Sequence, residues 1–303
     1  MKFSLVTTLY NSEDHLFEFH ERVSKLFKSL GESYEIIYVD DGSPDASIRV
    51  VQEIKNSDSN TRILKLSRNF GHHTAILAGL EHSVGDVIFV IDSDLEERPE
   101  SLVTLYDALQ SESELEMVYG VQAKRKGNIT ERISGSIYYT LFNALSDFKI
   151  EPNQLTSRVM TRKFVNALNS YQDKKFTFLH LVSQLGFKTY GIKLVKESSS
   201  DSTYTLRGKI NLAIKSLTLG TTRMLDALFV LGFSIFGIGV LITWITFILW
   251  LISPSIPGWT SLLCSVWLLG GIIMISMGIL AKYIENTLIE SKSNPRYIVD
   301  WFQ

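Results

Sequence analysis

The chain has 303 residues, 45% of them hydrophobic and 20% charged, with a formal net charge of -2. That balance gives no electrostatic reason to bind nucleic acid, which calls for a concentrated excess of basic charge. A single cysteine, Cys264, excludes an intrachain disulfide and fits a reducing compartment. Residues 3–8 form a short β-prone run, too short in its apolar part for a secretory signal, so the head that follows is expected to stay in the cytoplasm. Residues 13–30 read as a helix with Asn11 or Ser12 as N-cap. The apolar run YEIIYV at 34–39 has strand length and stops at Asp40-Asp41-Gly42-Ser43-Pro44. A helix to about Lys55 follows, then a strand at 62–66, a helix at 73–83 and the strand DVIFVI at 86–91. Strands apolar on both faces, separated by helices, predict an α/β head whose parallel-rich sheet is covered on both sides.

Ligands of such sheets bind beyond the carboxyl ends of the strands, and polar clusters follow Val39, Leu66 and Ile91. Asp40 and Asp41 can accept hydrogen bonds from a base or ribose, with Gly42 allowing a tight turn. Arg68, in Ser67-Arg68-Asn69-Phe70-Gly71, offers a guanidinium to a base or phosphate. Asp92 and Asp94, two apart in an extended chain, can turn both carboxylates toward one hard divalent cation. Alone, each cluster has a plainer reading: an Asp-Gly turn, a surface Arg-Asn pair, a chance acidic pair. His72 and His73 could touch a phosphate but read first as the solvent-facing start of a helix, and Lys124-Arg125-Lys126-Gly127 reads as a basic loop, either plainly solvated or facing anionic lipid or phosphate.

Residues 162–185 carry apolar residues at helical spacing with Lys174 and Lys175 among them, and 206–219 set Leu206, Ile210 and Leu217 against Arg207, Lys209 and Lys215. Both fit basic amphipathic helices in a headgroup plane, or core-packing helices of the head. From Ala227 to Ala281 there is no charged residue. Two parts of this stretch, 227–252 and 259–281, are long enough to cross a bilayer, and Ser253-Pro254-Ser255-Ile256-Pro257-Gly258 separates them. A soluble core of that length would carry charges at its helix ends, so a two-helix transmembrane hairpin is expected. Lys209, Lys215 and Arg223 precede it and Lys282, Lys292 and Arg296 follow it, which places both termini in the cytoplasm. The domain reading is a head at 1–200, a juxtamembrane segment at 201–224, the hairpin at 225–281 and a tail at 282–303.

In their order, each at a strand end, the three clusters resemble glycosyltransferase family 2 with its GT-A nucleotide-diphospho-sugar fold. The segments RNFGHHTAILAGL at 68–80 and GDVIFVIDSDL at 85–95 are similar to its polyprenyl-phosphate glycosyltransferases, as are 202–206, 290–298 and the anchor. The resemblance implies that Asp40 and Asp41 contact the nucleoside and Arg68 the donor, while Asp92 and Asp94 hold Mg²⁺ or Mn²⁺ against the donor diphosphate. It implies inverting transfer from a nucleotide sugar, a UDP-sugar by preference, to a polyprenyl phosphate at the cytoplasmic leaflet of a bacterial inner membrane. Arg158, Lys174, Lys175 and Arg207 are the cations available to the acceptor phosphate, and Arg158 aligns with the Arg of the family's Asp-Phe-Arg. The chain departs from the pattern at Glu96 and Glu97, where added carboxylates could crowd a diphosphate. It departs again at Thr156, in place of the presumed catalytic base, and at Thr203. Two other readings stay open: a catalytically silent relative serving as membrane scaffold or sugar-nucleotide sensor, and a transferase with a hydroxyl acceptor. A processive synthase is disfavoured, because two spans build no pore and no glutamine opens a Gln-x-x-Arg-Trp element. Homo-oligomerisation is open.

Overall fold

A computed structural model of the protein describes residues 2–122, 153–174, 176–195 and 258–303, with scattered positions between 230 and 252. The chain forms two compact units, a head that includes residues 294–303 and a second unit that includes 206–293.

The head begins with β1 (Phe3–Leu9), α1 (Leu16–Leu30), β2 (Tyr34–Asp40), α2 (Ser47–Ser57), β3 (Thr61–Leu66), α3 (His72–His82) and β4 (Val87–Val90). It continues with α4 (Ser101–Ser111), β5 (Leu115–Gln122), β6 (Gln154–Thr161), α5 (Arg162–Ser170), α6 (Phe178–Gln184) and β7 (Lys188–Leu194), and closes with β8 (Val299–Phe302). Eight strands make one sheet in the order β7-β5-β6-β4-β1-β2-β3-β8. The block β4-β1-β2-β3 is parallel, as expected, but β6 runs antiparallel to both β4 and β5, and β8 antiparallel to β3. The sheet is therefore mixed.

Strand periodicity divides the core in two. Phe3 and Leu5 of β1, Ile36 and Tyr38 of β2 and Phe89 of β4 face α1, α2 and α4. Val6, Ile37, Val39, Ile88 and Val90 face the opposite way, toward α3, α5 and α6. Runs apolar at every position are what a sheet buried on both faces requires. Helix α1 starts at Leu16, later than expected, because its approach is tied elsewhere: Asn11 has φ 55°, Ser12 Oγ accepts from Tyr10 N, and Glu13 Oε2 accepts from Ala46 N. Neither Asn11 nor Ser12 caps it, and His15 occupies the N-cap position without a side-chain hydrogen bond. Gly31, at φ 69°, ends the helix in the left-handed conformation.

The stretch 162–185 is not one amphipathic helix on a membrane plane. It breaks into α5 and α6, capped by Thr161 and Thr177, whose side chains accept from Phe164 N and His180 N. Phe164, Val165, Leu168, Phe178 and Leu181 are buried in the second core. The apolar stripe is satisfied by the sheet, and Lys174 lies half-buried in the connection between the helices.

The end of the chain carries a strand with no counterpart in the sequence reading. β8 pairs with β3, Trp301 packs on the first core, and Arg62 lies 4.2 Å from the Phe302 ring centre. Lys65 and Asp300 form an ion pair at 2.8 Å, and Tyr297 donates to Glu81 at 2.5 Å.

In the second unit, α7 (Trp259–Ser291) has 33 residues, about 50 Å of helix. Its part Leu269–Ser291 has the length and composition to cross a membrane and is not buried. It is the one such helix among the described residues. Described positions between 230 and 252 are helical, with Val230, Phe233, Leu241, Trp244 and Ile252 exposed. The remainder of 227–257, the segment 206–219 and the loop at 124–127 lie outside the described residues, as do Lys175 and Arg207.

Candidate functional site

Because β1, β2, β3 and β4 are mutually parallel, their carboxyl ends share one edge of the sheet. The loops that leave that edge carry Tyr10–Ser12, Asp41–Ser43, Ser67–Gly71 and Ile91–Asp94. This is the position at which open α/β sheets bind ligands. A separate buried network lies at the opposite edge. There Glu35 accepts from Ser4, Val84 N and Arg62 and ties the strand starts together.

Asp40, the last residue of β2, and Asp41 after it are both buried. Asp40 accepts from Ser43 N at 3.0 Å, which closes the turn around Gly42. Asp41 accepts from Phe70 N at 2.7 Å and Gly71 N at 2.9 Å, so its carboxylate clamps the loop after β3. Burial raises the pKa of both, with these backbone N–H groups opposing the rise. Gly42 has φ 67°, and a Cβ there would stand 2.8 Å from Asn69 N and 2.9 Å from Arg68 C. The two loops touch backbone to backbone, and only glycine allows it. Arg68 is exposed, its guanidinium 4.4 Å from the Phe70 ring centre.

Asp92 and Asp94 follow β4 in a turn, not an extended run, and Leu95 takes φ 59° immediately after. Asp92 is half-buried and Asp94 exposed, with Asp94 Oδ1 accepting from Glu96 N at 3.0 Å. Ser93 is buried and donates to Thr8 O at 3.3 Å. His72 is exposed, as expected for the start of a helix, and its Nδ1 lies 3.1 Å from Thr8 Oγ1 and its Nε2 3.7 Å from Asp92 Oδ1.

Arg158 reaches this edge through the antiparallel register of β6, which sets it opposite Val90 and Tyr119. It is only 6% exposed. Nε donates to Thr156 O at 2.8 Å and Nη2 to Leu155 O at 2.9 Å, while the Phe178 ring covers the group at 4.5 Å. Nη1 is buried with no hydrogen-bond partner among the described residues. Burial lowers the pKa to about 10, and the negative charges of Glu97 and Asp92 limit the fall.

Glu97 does not crowd the mouth of the site. It is buried, and its two oxygens accept from Thr156 N at 2.9 Å and Ser157 N at 2.8 Å. Burial raises its pKa, helped by the charge of Asp92. A buried carboxylate from a distant segment is therefore tied to the backbone of β6 at Thr156 and Ser157. The sequence carried a signal for it in Glu97 itself, two residues before Pro99, but not for where it points.

The donor set after β4 suits a hard divalent cation: two carboxylates, one exposed and one half-exposed, within one turn. No group of three His, Cys, Asp or Glu side chains is assembled for a metal among the described residues.

The model of the family "Glycosyl transferase family 2" matches residues 4–176. A Mycobacterium tuberculosis protein that carries a glycosyltransferase name is 35% identical over 99% of this chain and 87% of its own length. An uncharacterized glycosyltransferase of Bacillus subtilis is 31% identical over 99% of this chain and 93% of its own. A prophage bactoprenol glucosyl transferase homolog of Escherichia coli is 30% identical over 99% and 98%. Among solved structures, glucosyl-3-phosphoglycerate synthase of Mycobacterium tuberculosis, in complex with Mn²⁺, UDP and phosphoglyceric acid, superposes with a TM-score of 0.50 at 20% identity. The superposition covers 72% of this chain and 76% of that one and shows a shared fold.

Proposed function

The chain belongs to glycosyl transferase family 2, and on that premise we propose that it is a membrane-anchored, inverting glycosyltransferase. In this reading it moves a sugar from a nucleotide sugar, UDP-linked by preference, to a polyprenyl phosphate at the cytoplasmic leaflet. The observation that carries the reading is the meeting at one sheet edge of the Asp92–Asp94 turn, the Arg68 loop and the buried cation Arg158. The relatives named bactoprenol glucosyl transferases support a polyprenyl acceptor.

Asp40 and Asp41 shape the nucleoside end, Asp41 by holding the loop that presents Arg68 to the donor. Asp92 and Asp94 would hold Mg²⁺ or Mn²⁺, which when bound neutralises the departing diphosphate. An oxygen of the lipid phosphate attacks the anomeric carbon, the bond from that carbon to the diphosphate oxygen breaks, and the electron pair leaves with the nucleoside diphosphate. A phosphate monoester has a second pKa of about 6 and needs no base to become a nucleophile. This accounts for Thr156, which offers its backbone N–H to Glu97 and its carbonyl to Arg158. What such an acceptor needs is a cation, and we assign that role first to Arg158 through Nη1. Lys174, Lys175 and Arg207 are further candidates.

The apolar residues exposed along α7 and at 230–252 would be costly in water and suit lipid, which supports two spans, and the basic residues that flank them favour cytoplasmic termini. The test is a donor screen with the full-length protein in detergent and a polyprenyl phosphate, read by the mass of the lipid product. A sugar-phosphate-lipid product from one donor is expected. Absence of product from every donor, with the donor nonetheless bound, would favour a silent sensor. A better rate onto a free sugar hydroxyl would replace the phosphate acceptor.

A further inference from the structure

We propose that His72 supplies, through Nε2, a nitrogen ligand to the divalent cation held by Asp92, making the site a mixed imidazole–carboxylate centre. The inference rests on the metal dependence in the functional reading above and adds a ligand to it.

The argument starts from the two ring nitrogens. Nδ1 lies 3.1 Å from Thr8 Oγ1. With the proton on Nδ1, the ring donates to the hydroxyl oxygen and leaves a lone pair on Nε2. A ligating histidine ordinarily binds this way, because the bond made by the far nitrogen sets both tautomer and ring orientation. The nitrogen that carries the lone pair then lies 3.7 Å from Asp92 Oδ1. That gap is too long for a hydrogen bond. Two ligands each about 2.1 Å from one ion lie about 3.0 Å apart at a right angle and about 3.5 Å apart near the tetrahedral angle. The observed 3.7 Å exceeds these separations by about 0.2 Å at the tetrahedral angle and about 0.7 Å at the right angle, so a small rotation of the two side chains closes them onto an ion.

Thr8 fixes both sides of the gap. Its hydroxyl meets the imidazole, and its carbonyl accepts from Ser93, the residue between the two aspartates. The chain enters α3 through Gly71 at φ 97°, whose N–H is bound by Asp41. The imidazole is therefore set by β1, by the loop after β2 and by the start of α3 together. Asp41, accepting from Phe70 N and Gly71 N, also offsets the positive end of α3, which would otherwise repel a cation. An imidazole ligand shifts preference from Mg²⁺ toward metals that accept nitrogen, so Mn²⁺ is the appropriate probe.

The experiment is pulsed electron paramagnetic resonance on the full-length protein in detergent with Mn²⁺ and UDP, together with Mn²⁺ titration. The wild type is expected to show hyperfine coupling to an imidazole nitrogen. His72→Ala should lose that coupling and weaken Mn²⁺ binding about tenfold or more. His73→Ala should keep both. Thr8→Val should keep the coupling but weaken binding several-fold, since the ring loses its orienting partner. UDP binding without metal, unchanged in His72→Ala, checks that the exposed substitution leaves the fold intact. Absence of imidazole coupling in the wild type, or its survival in His72→Ala, overturns the proposal. Lipid-product mass scores the functional reading separately. Product without coupling would sink the His72 assignment alone, and coupling without product would sink the transferase reading alone.

Discussion

Arg158→Met separates a cation kept for chemistry from one kept for stability. The drop of its pKa from the ordinary value to about 10 corresponds to about 3 kcal/mol against keeping the charge in this position. Against that stand two charge-assisted hydrogen bonds, to Thr156 O and Leu155 O, each contributing about 1.5–3 kcal/mol. Methionine fills a similar volume beside Phe178 and removes both effects, so the variant should lose only about 0–3 kcal/mol of stability. Its rate of transfer should fall by about 10²–10³, the usual consequence of removing one charge-stabilising donor from a reaction centre. The assay pairs denaturant unfolding of the full-length protein in detergent with transfer rates over a range of acceptor concentrations. A rate within tenfold of wild type would refute the phosphate-facing role. A stability loss well above about 5 kcal/mol would show that the guanidinium is chiefly a structural element.

Thr156→Ala should keep most activity, because Glu97 and Arg158 use only its backbone; a rate as low as that of Arg158→Met would restore a chemical role to the hydroxyl. Gly42→Ala should weaken donor binding about tenfold with the fold retained, since its Cβ would push on Arg68 and Asn69; isothermal titration with UDP reads this, and unchanged affinity would dissociate that loop from the donor. Burial alone would raise the pKa of Asp45, but hydrogen bonds from Ser43, Ser47 and Glu13 N hold it down at about 2. Its contribution is therefore fully present above about pH 4 and is lost as pH falls toward 2. Asp45→Asn should flatten unfolding midpoints across that window, and an unaltered pH profile would contradict the assignment. Deleting residues 297–303 should lower the unfolding temperature of the head by several degrees, because β3 becomes an open edge and Trp301 and Phe302 leave the two cores; an unchanged midpoint would mean β8 adds no stability.

The sequence by itself determined the parallel strands β1 to β4, the polar clusters at their ends and the long apolar segments. Each depends on residues adjacent along the chain: uninterrupted apolar runs, turn residues that stop them, and hydropathy over a helix length. It also identified Asp92, Asp94 and Arg68 as candidates by type and position, and Arg158 through the resemblance to the family's Asp-Phe-Arg. The tertiary structure decided what these groups touch. Val90 pairs with Arg158 across 68 residues of chain, which brings a buried guanidinium toward Asp92. Glu97 turns inward onto the backbone of Thr156 and Ser157, and Asp41 clamps the loop before His72. Residues 162–185 show the same dependence. Their stripe suits a membrane plane or a core equally, and only the free face of the sheet beside Met160 settled which surface it covers. Periodicity specifies that a face must be buried, but the partner that buries it is chosen by strand register and chain closure, which no local pattern contains.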